Sequence, residues 1–271
     1  MCEVFSARDL RRVECGDSRP IVAVKRLLPD VAQNRQAQLA LAQEFFTLRH
    51  LVHPGVVRVF DLHREEWGLC FSMELLEGSS AYDMLGGNPV GLGRQGATAG
   101  SKIFETLDYL HAHGVAHGDI KPANIFLEQE GRVVVLDFNV ALVNARPGAA
   151  NAAASHGLRK ALRIPAYSLL HASPESLEGA PPSPSGDVFS ACCTVYEMLA
   201  GEHPFKMLPA NKAAAQSVVP ARPAFLGRRQ WQWLRRGLSF VPQERPSSGQ
   251  LCSAFGERRW FANLAFSLLL R

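Results

Sequence analysis

The sequence predicts an α+β fold in two lobes, with a small strand-rich first part and a larger helical second part. Short β-branched runs such as residues 21–24 characterise the chain before residue 78. Beyond that point, apolar residues recur at helical spacing instead. Two lobes of different make-up are expected to leave a cleft between them, where ligands commonly bind.

The sequence pattern predicts strands and one helix in the first part and helices in the second. A strand over 21–24 ends at Lys25, and a helix from about 31 to 51 follows because Leu41, Phe45 and Leu48 share one face. Further strands are predicted at 56–62 and 69–76. Helices are predicted at 101–113 and 191–199. The sequence pattern changes from strands to helices after residue 77, so we expect a first lobe over 1–77 and a second over 78–271.

Composition is that of an ordinary globular protein. The 271 residues are 47% hydrophobic and 20% charged, which excludes a disordered chain. The net charge of +4 is too mild to predict a nucleic-acid partner. The six cysteines form no C-x-x-C pair, and no apolar leader precedes them. We therefore expect free thiols and a cytoplasmic location.

Residues 260–270 form the most membrane-like stretch. The stretch is about half of the roughly 20 residues that a spanning helix needs. We predict a docked C-terminal helix and no membrane span in this chain. A longer parent protein, with a membrane anchor at this point, remains the alternative.

Two charged residues occupy positions that usually hold core residues. Lys25 ends an apolar strand, and Glu44 shares a helix face with Leu41 and Leu48. A charge at either position alone would be costly without a partner. Together they predict a buried ion pair.

Polar side chains follow two apolar segments further along the chain. Asp119 and Asn124 belong to the run H-G-D-I-K-P-A-N at 117–124, and Asp137 ends the strand V-V-V-L-D at 133–137. Carboxylate and amide oxygens suit a hard cation such as Mg²⁺, and a further Asp can orient a hydroxyl. These residue types are therefore those that magnesium and phosphate chemistry requires.

The order of these motifs resembles the protein kinase family, above all its bacterial Ser/Thr members. The remaining matching segments are V-A-V-K at 22–25, L-R-H-L-V-H-P-G-V-V at 48–57, F-S-M-E-L-L-E-G at 71–78, D-F-N at 137–139, S-P-E at 173–175, G-D-V-F-S at 186–190 and E-R-P at 244–246. The resemblance implies a bilobal kinase fold, ATP and Mg²⁺ as cofactors, and a protein substrate phosphorylated on Ser or Thr. It also implies that Arg245 pairs with Glu175.

The resemblance assigns roles to individual residues of the phosphate site. Lys25 would hold the ATP phosphates, and Glu44 would hold Lys25. Asp119 would orient the substrate hydroxyl, while Lys121 would neutralise the transferred phosphoryl group. The Mg²⁺ ligands would be Asn124 and Asp137.

The resemblance also implies an adenine site and a regulatory stack of side chains. Ala23 and Phe126 would enclose the adenine, which would bond the backbone of Glu74 and Leu76. Val4 and Met73, the gatekeeper, would complete that site. The expected stack, supported by Asp187, consists of Leu48, Val59, His117 and Phe138.

Several positions depart from the family pattern. Cys2 falls on the third glycine of the Gly-rich loop, so the first lobe is expected to be incomplete. The G-x-G-x-x-G at 91–96 lies after the hinge and is interpreted as a surface loop. Gly118 replaces an arginine that pairs with a phosphorylated loop, which predicts independence from such phosphorylation. Asn139 replaces a glycine and is expected to tolerate a left-handed backbone. Ile164 replaces a threonine that bonds the catalytic residues, in a long segment before Glu175.

Two other classes of function remain open on the sequence. The missing loop and Ile164 favour a scaffold or regulator with weak or no turnover. Small-molecule antibiotic kinases share a similar H-G-D stretch. However, they usually lack the Lys-Pro that follows it here, as well as the S-P-E element.

Overall fold

A computed structural model describes residues 2–86, 90–143 and 166–256. The predicted α+β class is confirmed, with a strand-rich first part and a helical second part. The predicted helix at 260–270 and the substitution at Ile164 lie outside the described residues. None of the described helices is both long and apolar enough to cross a membrane.

The first lobe is built on one antiparallel sheet of strand order β1-β2-β4-β3. Its elements in chain order are β1 (Cys2–Arg8), α1 (Leu10–Glu14), β2 (Ile21–Leu27), α2 (Arg35–Arg49), β3 (Val59–Glu65) and β4 (Gly68–Met73). The strand predicted at 21–24 therefore continues to Leu27, and the strand predicted at 69–76 ends at Met73.

Helix α2 packs on this sheet through one apolar face. It begins later than residue 31 because the side chain of Asn34 caps it, accepting from the backbone N–H groups of Gln36 and Ala37. Leu41 and Phe45 are buried against the sheet. Glu44 is buried between them, so the helix presents a carboxylate to the interior.

The second lobe is mainly helical. Its helices are α3 (Ala81–Leu85), α4 (Gly93–Ala112), α5 (Ala166–His171), α6 (Pro174–Leu177), α7 (Pro184–Ala200), α8 (Ala210–Ala215), α9 (Arg228–Gly237) and α10 (Ser248–Phe255). Its short strands are β5 (Gly78–Ser80), β6 (Val115–Ala116), β7 (Ile125–Glu128), β8 (Val133–Val135) and β9 (Leu142–Val143). The predicted helices at 101–113 and 191–199 are parts of the longer α4 and α7.

The expectation of a surface loop at 91–96 is wrong. Helix α4 begins at Gly93, and its glycines let it approach α7 closely. A Cβ at Gly96 would lie 2.7 Å from the carbonyl oxygen of Met198, and one at Gly100 would lie 2.9 Å from a methyl of Val195. These glycines serve helix packing, which a Gly-x-Gly spacing alone does not reveal.

An ion pair joins helix α6 to the segment before α10. The guanidinium of Arg245 donates to both carboxylate oxygens of Glu175, at 2.6 and 2.9 Å. It also lies over the ring of Phe189, 5.0 Å from the ring centroid. The predicted pairing of Arg245 with Glu175 is confirmed.

His203 lies in a buried cluster with His171 and Glu197. Its Nδ1 accepts from the backbone N–H of Phe205, and its Nε2 lies 3.1 Å from the carbonyl oxygen of Leu170. Burial lowers the pKa of His203 to about 4, and the neighbouring His171 acts in the same direction. The native protein therefore holds this imidazole neutral in mildly acidic solution.

We predict that the stability of the protein falls as the pH drops from about 6.5 to about 4. An unfolded histidine gains its proton near pH 6.5, whereas His203 in the native state does not, so protonation favours unfolding in this window. The loss should reach about 3 kcal/mol. Denaturant titrations at several pH values should show a flatter profile for His203→Gln. The exposed His50→Gln is the control and should keep the wild-type slope.

Candidate active site

Lys25 lies between two carboxylates. Its ammonium group is 2.7 and 2.8 Å from the two carboxylate oxygens of Glu44 and 3.0 Å from Oδ1 of Asp137. Burial disfavours the charged form, but the two carboxylates outweigh it and raise the pKa of Lys25 above its usual value. The predicted Lys25–Glu44 ion pair is confirmed, and Asp137 from the second lobe joins it.

Asp137 has an unusual backbone conformation. Its φ of 68° lies in the left-handed region, which Asp tolerates better than most residues. Burial opposes ionisation, yet the Lys25 ammonium lowers the pKa of the Asp137 carboxyl below its usual value. The next residue, Phe138, donates its backbone N–H to Glu44 at 3.2 Å. The turn after β8 is therefore bonded to helix α2.

Asn139 plays a different part from the one expected. Among the described residues, the positive φ of this turn falls on Asp137 and not on Asn139. Instead, the Asn139 side-chain amide donates to Oδ1 of Asp137. Asn139 therefore orients the carboxylate, a contact that a glycine could not make.

The residues of the 117–124 run come together around Asp119. The ammonium of Lys121 lies 2.7 Å from Oδ2 of Asp119. The side-chain amide of Asn124 donates to the backbone carbonyl of Asp119 at 2.8 Å and to its Oδ2 at 3.1 Å. A short helical turn over Pro122–Asn124 brings Asn124 back to Asp119. The carbonyl oxygen of the Asn124 amide is not used in these bonds.

Asp187, near the start of α7, holds this loop through its backbone. Its two carboxylate oxygens accept from the backbone N–H groups of His117 and Gly118, each at 2.7 Å. The ring of His117 contacts that of Phe138, with centroids 4.6 Å apart. Two members of the expected stack, His117 and Phe138, therefore meet, and Asp187 supports them through the backbone of His117.

Position 118 favours glycine for two steric reasons. Its φ of 81° favours glycine, and a Cβ there would lie 2.8 Å from Cγ of Pro182. An arginine at this position would require Pro182 to move. The glycine that replaces the family's arginine at this position thus has a local steric reason.

The expected adenine residues lie on strands around the hinge. Ala23 pairs with Met73 across β2 and β4, and Val4 pairs with Lys25 across β1 and β2. Val4 is 55% exposed, whereas Ala23 is buried. Glu74 and Leu76 follow β4 in the chain. Phe126 is on β7 and is half-buried.

Arg132 links the two lobes at the hinge. This contact is not predicted from the sequence. The Arg132 guanidinium donates to both carboxylate oxygens of Glu74, at 2.7 and 2.9 Å. It also donates to the carbonyl oxygens of Pro54 at 2.7 Å and Val56 at 3.4 Å. A lone arginine after the turn between β7 and β8 carries no local signal of such a contact. His111, which contacts Asp187 at 3.0 Å, was missed for the same reason.

Arg132→Met should lower the free energy of unfolding by about 1–3 kcal/mol, because the carboxylate and two carbonyls lose their donor. Denaturant titration measures this change. The exposed Arg64→Met is the matched control and should change stability by less than about 0.5 kcal/mol. In a double-mutant cycle with Glu74→Gln, strictly additive effects would contradict the Arg132–Glu74 interaction.

The sequence matches the protein kinase domain family over residues 11–253. The chain therefore belongs to the protein kinase family. It is 32% identical over 241 residues to the serine/threonine-protein kinase PkaA of Streptomyces coelicolor, a match covering 87% of this chain and 42% of the relative. It is 31% identical over 211 residues to the serine/threonine-protein kinase PknB of Mycolicibacterium smegmatis, covering 76% of this chain and 31% of the relative.

A third relative covers a similar share of the chain. The serine/threonine-protein kinase PknD of Chlamydia abortus is 29% identical over 268 residues, which is 86% of this chain and 27% of that protein. The chain thus spans less than half the length of these three curated relatives.

Proposed function

We propose that this chain transfers the γ-phosphoryl group of ATP to Ser or Thr hydroxyls of a protein substrate in a Mg²⁺-dependent reaction. The cluster of Lys25, Glu44 and Asp137 carries this proposal, because it links a cation from one lobe to a carboxylate from the other. The printed names of the relatives, all serine/threonine-protein kinases, support the substrate class.

Lys25 would bind the α- and β-phosphates. Its ammonium is charged, buried and held in place by both oxygens of Glu44, so it is preorganised for an anion. The same ammonium now contacts Asp137, and a phosphate oxygen can share it. Preorganisation avoids the cost of ordering a long side chain during the reaction.

The residues assigned to Mg²⁺ fit that ion. Oδ1 of Asp137 is occupied by Lys25 and Asn139, so Oδ2 remains available, together with the amide oxygen of Asn124. Mg²⁺ commonly takes one or two protein oxygens and completes its shell with phosphates and water. When bound, the ion would neutralise charge on the phosphates.

Asp119 would act on the substrate hydroxyl. Its carboxylate is partly exposed, so a hydroxyl can reach it. Lys121 contacts the same carboxylate and places a positive charge where the transferred phosphoryl group would pass. Asn124 restrains Asp119 from the other side through two hydrogen bonds.

Adenine would bind at the hinge. Ala23 and Phe126 would contact its two faces, with Val4 and Met73 at the edges of the site. The backbone of Glu74 and Leu76 would supply the hydrogen bonds. Arg132 supports this part of the proposal, because it fixes the Glu74 side chain through two hydrogen bonds.

We further propose a division into lobes over 1–77 and 78–271 and a cytoplasmic location. The six cysteines are free thiols, as a reducing compartment requires. Three of them, Cys70, Cys192 and Cys193, are buried, and burial raises the pKa of each. They are therefore inert side chains of the core.

Asp119→Ala should reduce phosphoryl transfer by roughly 10²- to 10⁴-fold, because the hydroxyl loses its acceptor. The assay follows transfer from labelled ATP to a general protein substrate with Mg²⁺. The exposed Asp30→Ala is the control and should retain wild-type activity. Equal signal from the wild type and Asp119→Ala would exclude the enzyme. Stabilisation by ATP without turnover in the wild type would favour a scaffold or regulator.

Lys25→Met should abolish measurable turnover, a loss of roughly 10²-fold or more, because the phosphates lose their buried cation. This variant also leaves Glu44 buried without a counter-ion, which lowers stability. The double variant Lys25→Met/Glu44→Gln removes that charge and should regain stability without regaining activity. Full activity in a folded Lys25→Met protein would contradict the assigned role.

A further inference from the structure

Positive charge is concentrated in one stretch of the second lobe. Residues 203–243 contain seven Lys or Arg and no Asp or Glu, whereas the rest of the chain has 22 basic against 25 acidic residues. All seven are exposed, namely Lys206, Lys212, Arg222, Arg228, Arg229, Arg235 and Arg236. The mild net charge of the chain therefore conceals a strongly basic surface on an otherwise slightly acidic protein.

Helix α9 carries the densest part of this surface. Its inner side buries Gln230, Leu234 and Gly237 against the lobe. The opposite side presents four exposed arginines, which we call the arginine face: Arg228, Arg229, Arg235 and Arg236. At 100° per residue, these four fall within a single arc of the helix surface.

The arginine face lacks counter-charges within the described part of the chain. No described carboxylate forms an ion pair with any of its four guanidinium groups. Its guanidinium groups are therefore open to an anionic partner.

Aromatic side chains border the arginine face. Trp231 and Trp233 lie at its two edges, and both are half-buried. The ring of Trp231 packs against Tyr196, and the guanidinium of Arg236 lies 5.2 Å from the ring centroid of Trp233. Just before the helix, Phe225 is 57% exposed. Tryptophan beside arginine is typical of the boundary between water and lipid.

We propose that the arginine face binds the surface of a lipid bilayer that contains anionic phospholipids. Guanidinium groups bind phosphate oxygens through two parallel hydrogen bonds, and a row of them matches a plane of headgroups. The exposed ring of Phe225 can enter the interfacial region beside them. A cavity of about 580 Å³ adjoins the face, lined by Arg229, Trp231, Gln232, Trp233, Arg235 and Arg236, and it could receive one headgroup.

The sequence beyond the described residues is consistent with this partner. The apolar run 260–270 follows α10 closely and has arginines at both ends, Arg258 and Arg259 before it and Arg271 after it. Stable attachment to a membrane surface generally needs two signals, such as an apolar segment and a basic patch. The arginine face would supply the basic one.

The proposal can be tested by sedimentation with vesicles. Vesicles of phosphatidylcholine alone and of phosphatidylcholine with phosphatidylglycerol are mixed with the 271-residue protein at low and high salt. We expect binding only to the anionic vesicles and its loss at high salt, because salt screens exposed charges. Replacing the arginine face, as Arg228→Gln, Arg229→Gln, Arg235→Gln and Arg236→Gln together, should weaken binding at least tenfold.

A matched variant controls for net charge. It carries glutamine at four exposed arginines of the first lobe, namely Arg8, Arg11, Arg19 and Arg64, and should bind as the wild type does. Circular dichroism verifies that both variants are folded. Equal loss of binding in the two folded variants would overturn the proposal, and so would equal binding to uncharged vesicles. Binding to poly-glutamate but not to anionic vesicles would also overturn it and assign the face to an acidic protein.

Discussion

The buried ammonium of Lys25 is the interaction on which the proposed active site depends. Taking a lysine out of water is costly, and the cost is offset only if the counter-charges lie close to it. Glu44 supplies one from helix α2 and Asp137 supplies the other from the turn after β8. Because these partners come from different lobes, this ion triad also fixes how the two halves of the site face each other.

The second lobe holds its part of the site through backbone contacts. Asp187 accepts the N–H groups of His117 and Gly118, so the carboxylate at the start of α7 sets the path of the loop that carries Asp119. His111 contacts Asp187 from helix α4. A rigid, buried helix therefore positions residues that must stay partly exposed for chemistry, which is a common division between scaffold and site.

A second connection between the lobes runs through Arg132. It contacts the hinge at Glu74 and the loop before β3 at Pro54 and Val56. The two lobes are thus joined at Glu74 by a planar guanidinium and at Asp137 by an ammonium. Charged groups bearing several donors suit both places, because each can satisfy acceptors from both lobes at once.

Local sequence patterns predict the fold class, the strands and helices that carry the main residues, and the Lys25–Glu44 pair. These follow from local periodicity and from charges on otherwise apolar faces, which are visible without a partner in view. The order of the motifs also identified the family.

The folded structure alone reveals the contacts that join distant segments. It showed that Arg132 bonds Glu74, that Pro182 leaves no room for a side chain at Gly118, and that the glycines of 93–100 belong to a packed helix. It also showed that the left-handed backbone is at Asp137 and not at Asn139. The physical reason is the same each time. The deciding neighbour lies far away along the chain, and local propensity does not encode its position.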